Sequence, residues 1–378
     1  MRKAELPALT GVRFYAALGV YFAHISLVPG VEKFSPRQFF FGLGEVGVSL
    51  FFVLSGFILT YNYADRFQNV VRGSDCKRFI WDRWTKIYPL HLATMLYMVP
   101  VQVFSPNLPL DWRAVPFHLL LLQCFWPFPR PAFYEYLNVP SWSISCEWFF
   151  YLLAPFAIYL ALGRVRSRLL VLLAMAYAAG MGLFLWNTHS ETARFYYLSC
   201  FAPTRFLEFL AGVFLARFFL RFSLPKTNTA ARLAQVGGIV WLLAAALYRA
   251  HAPWPFWGGL LYIPGSALLI FGLAVGRGFL VSHLSGPWMR RLGMASFSFY
   301  LLQAPIIRTI KGICLHLNWQ VGSWNTFLVA ALGMFVTIQV AALIVYRRYE
   351  IPVQNRLRRL FRNSAGSPST LTEATLTK

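Results

Sequence analysis

Arg13 and His24 lie eleven residues apart in the hydrophobic stretch Leu9–Val28, LTGVRFYAALGVYFAHISLV. On a helix that spacing returns both side chains to nearly one face, roughly 16 Å apart along the axis. The stretch is long enough to cross a bilayer, whose hydrocarbon core is about 30 Å thick. An arginine and a histidine inside such a span are costly, so both need a polar interior to face. A histidine held by a carboxylate can serve as a general base toward a hydroxyl. The carboxylate available is Glu147, which follows Pro140-Ser141-Trp142-Ser143-Ile144-Ser145-Cys146 at the head of another hydrophobic block. If the first block runs from the cytoplasm outward and the block after Pro140 runs back, His24 and Glu147 share the outer half of the membrane. Arg13 then lies near the cytoplasmic face. Packing offers a plainer account: Arg13 snorkels to the headgroups, His24 is satisfied inside a bundle, and Glu147 pairs with a buried arginine such as Arg205.

Three further groups invite chemistry. Arg78, Arg83 and Lys86 crowd the segment Lys77–Pro89. They read either as a solvated basic loop or as a grip on a phosphorylated cytoplasmic cofactor. No P-loop or GxGxxG run accompanies them. Arg205 and Glu208 stand three apart, where one helix face would let them pair. Gly47, Ser55 and Gly56 would let a second helix approach closely, which packing alone explains. Tyr349-Glu350-Ile351-Pro352 reads as the stop of the last span before a basic tail.

The elements that must position these residues are membrane spans. Of 378 residues 58% are hydrophobic and only 13% charged, about half the charge of a soluble chain. Ten hydrophobic blocks, at about 8–28, 43–63, 87–104, 142–161, 168–187, 200–219, 235–250, 257–276, 295–311 and 325–346, predict an all-α polytopic bundle. The net charge of +22 would suggest nucleic acid in a soluble protein, but here topology accounts for it. With ten spans and a cytoplasmic N-terminus, 25 of the 35 basic residues fall inside, as the positive-inside rule demands. Both termini are then cytoplasmic.

The apolar run His118–Trp126 is too short to span, and counting it would invert everything after it. Residues 105–141 therefore read as one outer loop with a helix dipping into the outer leaflet, either an acceptor surface or an interfacial anchor. Residues 1–355 form one transmembrane domain, and 356–378 a basic, then disordered, cytoplasmic tail. The first span shows no clear cleavage site and is expected to stay in place. The five cysteines form no CxxC pair or disulfide framework, and no metal-ligand cluster is evident.

Taken in register, these motifs resemble those of the acyltransferase-3 family of integral membrane acyltransferases, over roughly residues 6–355. Arg13 and His24 match its Arg-x10-His signature, and Gly47–Phe57 resembles its GVxLFFVLSGF segment. Arg83–Pro89 is similar to R-x-x-R-I-Y-P, and Trp142–Glu147 to WSLSxE. Pro203–Gly212, Ser298–Leu302 and Glu350–Pro352 follow in order. Departures are Lys86 for the second arginine, Trp148 for a second acidic residue, Gln303 for a frequent histidine and Ser49 for a frequent acidic residue.

The resemblance implies an O-acyltransferase in the bacterial inner membrane. The acyl donor would be acetyl-CoA or another acyl-CoA, and the acceptor a hydroxyl of a polysaccharide or lipid-linked glycan. It implies His24, Glu147 and Arg13 in catalysis, Arg78, Arg83 and Lys86 on the donor, and Arg205, Trp142 and Ser55 on substrate. Neither metal nor nucleic acid is expected. A proton-coupled secondary transporter is the alternative, since buried Arg, His and Glu residues suit that too; against it, no inverted repeat is visible.

Overall fold

Every hydrophobic block becomes a helix. The computed structural model describes residues 4–25, 28, 30, 37–103, 111–125, 137–163, 167–221, 228–251 and 258–364. Among these no strand occurs. The first helices are α1 (Pro7–Ile25), α2 (Arg37–Phe67), α3 (Gly73–Val103) and the short α4 (Val115–Leu119). Then come α5 (Ser141–Leu162), α6 (Ser167–Trp186), α7 (Glu191–Ser199), α8 (Ala202–Arg221) and α9 (Asn228–His251). A 3-10 turn (Gly258–Tyr262) leads into α10 (Ile263–Val275), followed by α11 (Phe279–Ser285), α12 (Pro287–Met294), α13 (Ser296–His316) and α14 (Trp324–Val345). A π-turn (Tyr346–Glu350) joins α14 to α15 (Ile351–Ser364).

Six stretches among the described residues are long and apolar enough to cross a membrane: 38–67, 141–162, 191–221, 229–251, 258–275 and 324–361. Of the other blocks, α6 is apolar but shorter (Leu172–Trp186), and the remaining three are helical but interrupted by polar groups. α1 carries Arg13 and His24, α3 opens on a charged run, and α13 holds Gln303, Arg308 and Lys311. A span that lines a polar interior loses hydropathy for the same reason that it is useful.

Close backbone approach builds the centre. A Cβ at Gly56 would run into the carbonyl oxygen of Phe209, and one at Gly212 into that of Val53, so α2 and α8 pack antiparallel with almost nothing between them. Gly47 meets the Ala16 carbonyl of α1 in the same way. Around this seam the buried Phe52, Phe150, Phe206 and Phe209 interlock, with ring centroids of 5.0 Å for Phe52–Phe150 and 5.2 Å for Phe150–Phe209. A second core joins α1 and α2 to α9 and α10, and a third joins α1 to α13 and α14. The outward faces of α6 and α14 stay apolar and open (Leu172, Leu183, Val329, Leu332). That suits lipid contact and would be anomalous in water.

Three expectations change. Arg83 and Lys86 are on a helix rather than in a loop, because α3 begins at Gly73 and runs through Pro89. Pro352 does not end the last helix; the backbone stays helical through the π-turn Tyr346–Glu350 and on into α15, with Pro352 just past the widened turn. The chain therefore stays helical to Ser364, through the first part of the segment expected to be tail. The apolar run at His118 gives only the five-residue α4, in keeping with its being too short to span. Lys33, Arg130 and the tail beyond Ser364 lie outside the described residues.

Candidate active site

Helical stripes converge on one cavity of about 140 Å³. α2 contributes Val48, Phe51, Phe52, Ser55, Ile58 and Leu59, a run with the three- and four-residue steps of one helix face. α3 contributes Arg83, Lys86 and Ile87; α5 contributes Ser143, Ile144, Glu147 and Tyr151. α1 supplies Arg13, and α13 supplies Phe297 and Tyr300. The walls are apolar and aromatic, and the polar groups stand among them at helical spacing.

Three cations face this space. Lys86 is ion-paired to Glu350, whose other carboxylate oxygen accepts from Ser298 Oγ at 2.5 Å. The Lys86 ammonium also lies 5.5 Å from the centre of the Phe297 ring. Arg83 donates to Tyr63 Oη at 3.5 Å with its guanidinium 5.8 Å from that ring. Its buried Nε has no acceptor among the described residues. Glu147 accepts a 2.8 Å hydrogen bond from Tyr151 Oη, one helical turn away. With Glu350 taken up by Lys86, Arg13 and Arg83 still outnumber Glu147, the carboxylate that lines the cavity. A donor nitrogen without an acceptor beside them suits a multiply charged anion such as a phosphate.

His24 does not line this cavity. Its Nδ1 meets Gln303 Oε1 at 2.8 Å, and Gln303 Nε2 donates to the Ala17 carbonyl at 3.0 Å. The expected meeting of His24 with Glu147 is absent, since Glu147 is held by Tyr151 and faces the cations. The cavity's lining stops on this side at Ser143 and Tyr300, whose hydroxyls meet at 2.7 Å. Gln303 follows Tyr300 by one turn of α13.

Arg205 and Glu208 pair at 2.8 Å, both buried, as their spacing suggested. The Arg205 guanidinium stacks over Phe52 (5.1 Å) and Trp142 (5.7 Å), so these two substrate candidates sit together behind the cavity wall that Phe52 forms. Ser55 lines the cavity itself. Arg78 is exposed on the opposite side of α3 and does not reach it.

Glu350, Tyr151, Tyr300 and Gln303 were given no chemical role in the sequence reading. Glu350 has Arg347 three residues before it as a local partner in sequence, and the structure pairs it with Lys86 instead. The other three needed the packing of α5, α13 and α1. No group of three or more His, Cys, Asp or Glu able to hold a metal occurs among the described residues.

Comparison with known proteins gives a consistent picture. Residues 6–346 match a family model described as an acyltransferase domain, of the acyltransferase-3 type. The chain is 32% identical to acyltransferase MdmB of Streptomyces mycarofaciens over 332 residues, 81% of this chain and 80% of that one. It is 25% identical over 322 residues to the putative peptidoglycan O-acetyltransferase YrhL of Bacillus subtilis, covering 80% of this chain and 48% of that protein. It is 24% identical over 371 residues to the peptidoglycan O-acetyltransferase OatA of Listeria monocytogenes, covering 92% of this chain and 56% of that protein. The chain thus spans about half the length of these last two. No solved structure matches it.

Proposed function

The chain belongs to the acyltransferase-3 family and is a membrane O-acyltransferase, and from that premise we propose that it carries a short acyl group from cytoplasmic acyl-CoA to a sugar hydroxyl. Acetyl is the group expected. The acceptor is a cell-surface or exported polysaccharide, or a lipid-linked glycan, in keeping with the peptidoglycan O-acetyltransferases among its relatives. In this reading the chain crosses a bacterial inner membrane ten times with both termini in the cytoplasm.

The observation that carries the reading is the cation-rich cavity. Arg83 and Lys86 sit on the part of α3 that follows a basic inner segment, so the phosphates of the donor enter from that side. Arg13 binds the same anionic part of the donor. It is roughly 16 Å along α1 from His24, too far for both to act on one carbonyl. Glu147, steadied by Tyr151, balances the three cations and orients the donor between them. Arg205 and Trp142 hold acceptor or donor on the far side of Phe52, and Ser55 lies in the wall.

His24 takes the proton of the acceptor hydroxyl. The hydroxyl oxygen attacks the thioester carbonyl, the C–O bond forms and the C–S bond breaks. The leaving thiolate recovers the proton from the imidazolium, which returns His24 to its starting state. Transfer by this route needs the acyl end of the donor to pass Ser143 and Tyr300.

Mass spectrometry of surface and exported glycans from wild-type, deletion and His24→Ala strains tests the proposal. One acyl mass should be lost in both altered strains, with the variant protein still inserted. Loss in the deletion strain alone would remove His24 from the chemistry; no difference in either would remove the glycan acceptor.

A further inference from the structure

We propose that Gln303 is a positioning residue that fixes the tautomer of His24, placing the proton on Nδ1 and leaving the Nε2 lone pair as the base. The inference rests on the reading in which His24 deprotonates the acceptor.

The argument is one of donors and acceptors. The Ala17 carbonyl can only accept, so the group of Gln303 facing it at 3.0 Å is the amide NH2. That fixes which end of the amide faces His24: Oε1, at 2.8 Å from Nδ1. An amide oxygen also can only accept. His24 Nδ1 must therefore carry the hydrogen, and in the neutral ring the lone pair is on Nε2. Turning the amide over would set an oxygen against the Ala17 oxygen. Gln303 is fully buried, out of reach of the bulk solvent that could relieve such a clash at the surface.

Helix geometry makes the relay possible. Ala17 and His24 are seven residues apart, two turns along one face of α1. The Ala17 carbonyl points toward the C-terminal end of the helix and the His24 side chain leans back toward the N-terminal end. One amide from a neighbouring helix can then touch both.

That neighbouring helix is held firmly where Gln303 sits. Asn138 Nδ2 donates to the Leu301 carbonyl at 3.0 Å, and Arg308 donates to the Leu137 carbonyl at 2.7 Å. The Tyr300 hydroxyl is tied to Ser143 at 2.7 Å. On the other side, Tyr21 donates to the Ala331 carbonyl at 2.5 Å and locks α1 onto α14. A catalytic group is effective when its support is rigid, and here α1 and α13 are both pinned within two turns of the contact.

The test uses the full chain in proteoliposomes. Nitrogen-15 spectra of histidine-labelled protein, with the His24 signals identified by their loss in His24→Ala, should show Nδ1 protonated and Nε2 bare at neutral pH. A proton on Nε2 instead, or on both nitrogens, overturns the inference without any variant of Gln303 having to fold.

Kinetics then test the consequence. Gln303→Met removes the acceptor, lets the imidazole proton distribute over both nitrogens and should lower kcat about 10- to 100-fold, part of the roughly 10²–10⁴ that a general base supplies. The KM for donor should stay within about twofold, because the cavity is untouched. Wild-type kcat in Gln303→Met, with His24→Ala inactive, would sink the positioning role and leave the base standing. Wild-type kcat in His24→Ala would sink the base reading, and the positioning role with it.

Discussion

Lys86 and Glu350 stand 264 residues apart in the chain and form an ion pair at the wall of the cavity, tying α3 to the π-turn that follows α14. Glu350 is almost wholly buried, and Ser298 satisfies its second oxygen. A buried pair of this kind is dear to break, because the remaining partner keeps its charge without a counter-ion; the loss is about 3–5 kcal/mol. Glu350→Gln and Lys86→Met should each lower the thermal midpoint in detergent by more than the double variant does. Strictly additive losses would mean that the pair contributes no coupling.

Arg83 and Arg78 separate donor binding from simple basicity. Arg83 lines the cavity with an unclaimed Nε, and Arg78 is exposed on another face of α3. A charge-assisted hydrogen bond is worth about 1.5–3 kcal/mol, so Arg83→Ala should raise the acyl-CoA KM about tenfold or more. Arg78→Ala should leave it within about twofold. Initial rates against donor concentration decide, and equal effects would take Arg83 out of the donor site.

Glu147 and Tyr151 should behave as one unit. Removing the carboxylate in Glu147→Gln leaves three cations around the donor, so donor KM should stay level or fall while kcat falls about tenfold or more. Tyr151→Phe keeps the charge and loses only the 2.8 Å hydrogen bond, worth about 0.5–1.5 kcal/mol when neutral and up to about 3 when charged. Its loss in kcat should be the smaller. A rise in donor KM in Glu147→Gln would argue against charge balance as the role of Glu147.

The α2–α8 seam predicts a contrast between glycines. In Gly212→Ala the added methyl collides with the Val53 carbonyl and the backbone of Phe57. Overpacking of this sort costs about 1–3 kcal/mol, and backbone can yield less than a side chain. Gly180, on the lipid-facing α6, has nothing within 4 Å of its virtual Cβ, and Gly180→Ala should be neutral or slightly stabilising. Melting temperatures and folded yield of the two variants check this, and an equal loss in both would remove the seam as the cause.

Much of this was legible before the fold was known, and the reasons are physical. Hydropathy marks spans because a bilayer admits no unsatisfied backbone, so each of the ten blocks emerged as a helix. Positive charge marked Arg78, Arg83 and Lys86 as a set; Arg83 and Lys86 do line one cavity, where Arg13 joins them, while Arg78 is exposed outside it. What failed was which way the side chain faces. Placing Glu147 beside His24 relied on counting residues from block ends, and α5 instead turns Glu147 toward Tyr151 and the cations. Gln303 was legible only as a departure from a pattern; its work depends on which carbonyl it can reach. Pro352 was read as a stop because proline ends helices from within, and a π-turn just before it let a new helix begin.

The hydroxyl contact between Ser143 and Tyr300 has an electrical consequence. A living membrane holds a potential, and each elementary charge that slips across 100 mV releases about 2.3 kcal/mol. A wetted shaft running from Arg83 to His24 would be a short circuit. The cavity's lining includes Ser143 and Tyr300, whose hydroxyls touch, and does not include His24. In the proposed transfer the acyl group would part these two side chains, and the two regions would be joined only while it passes.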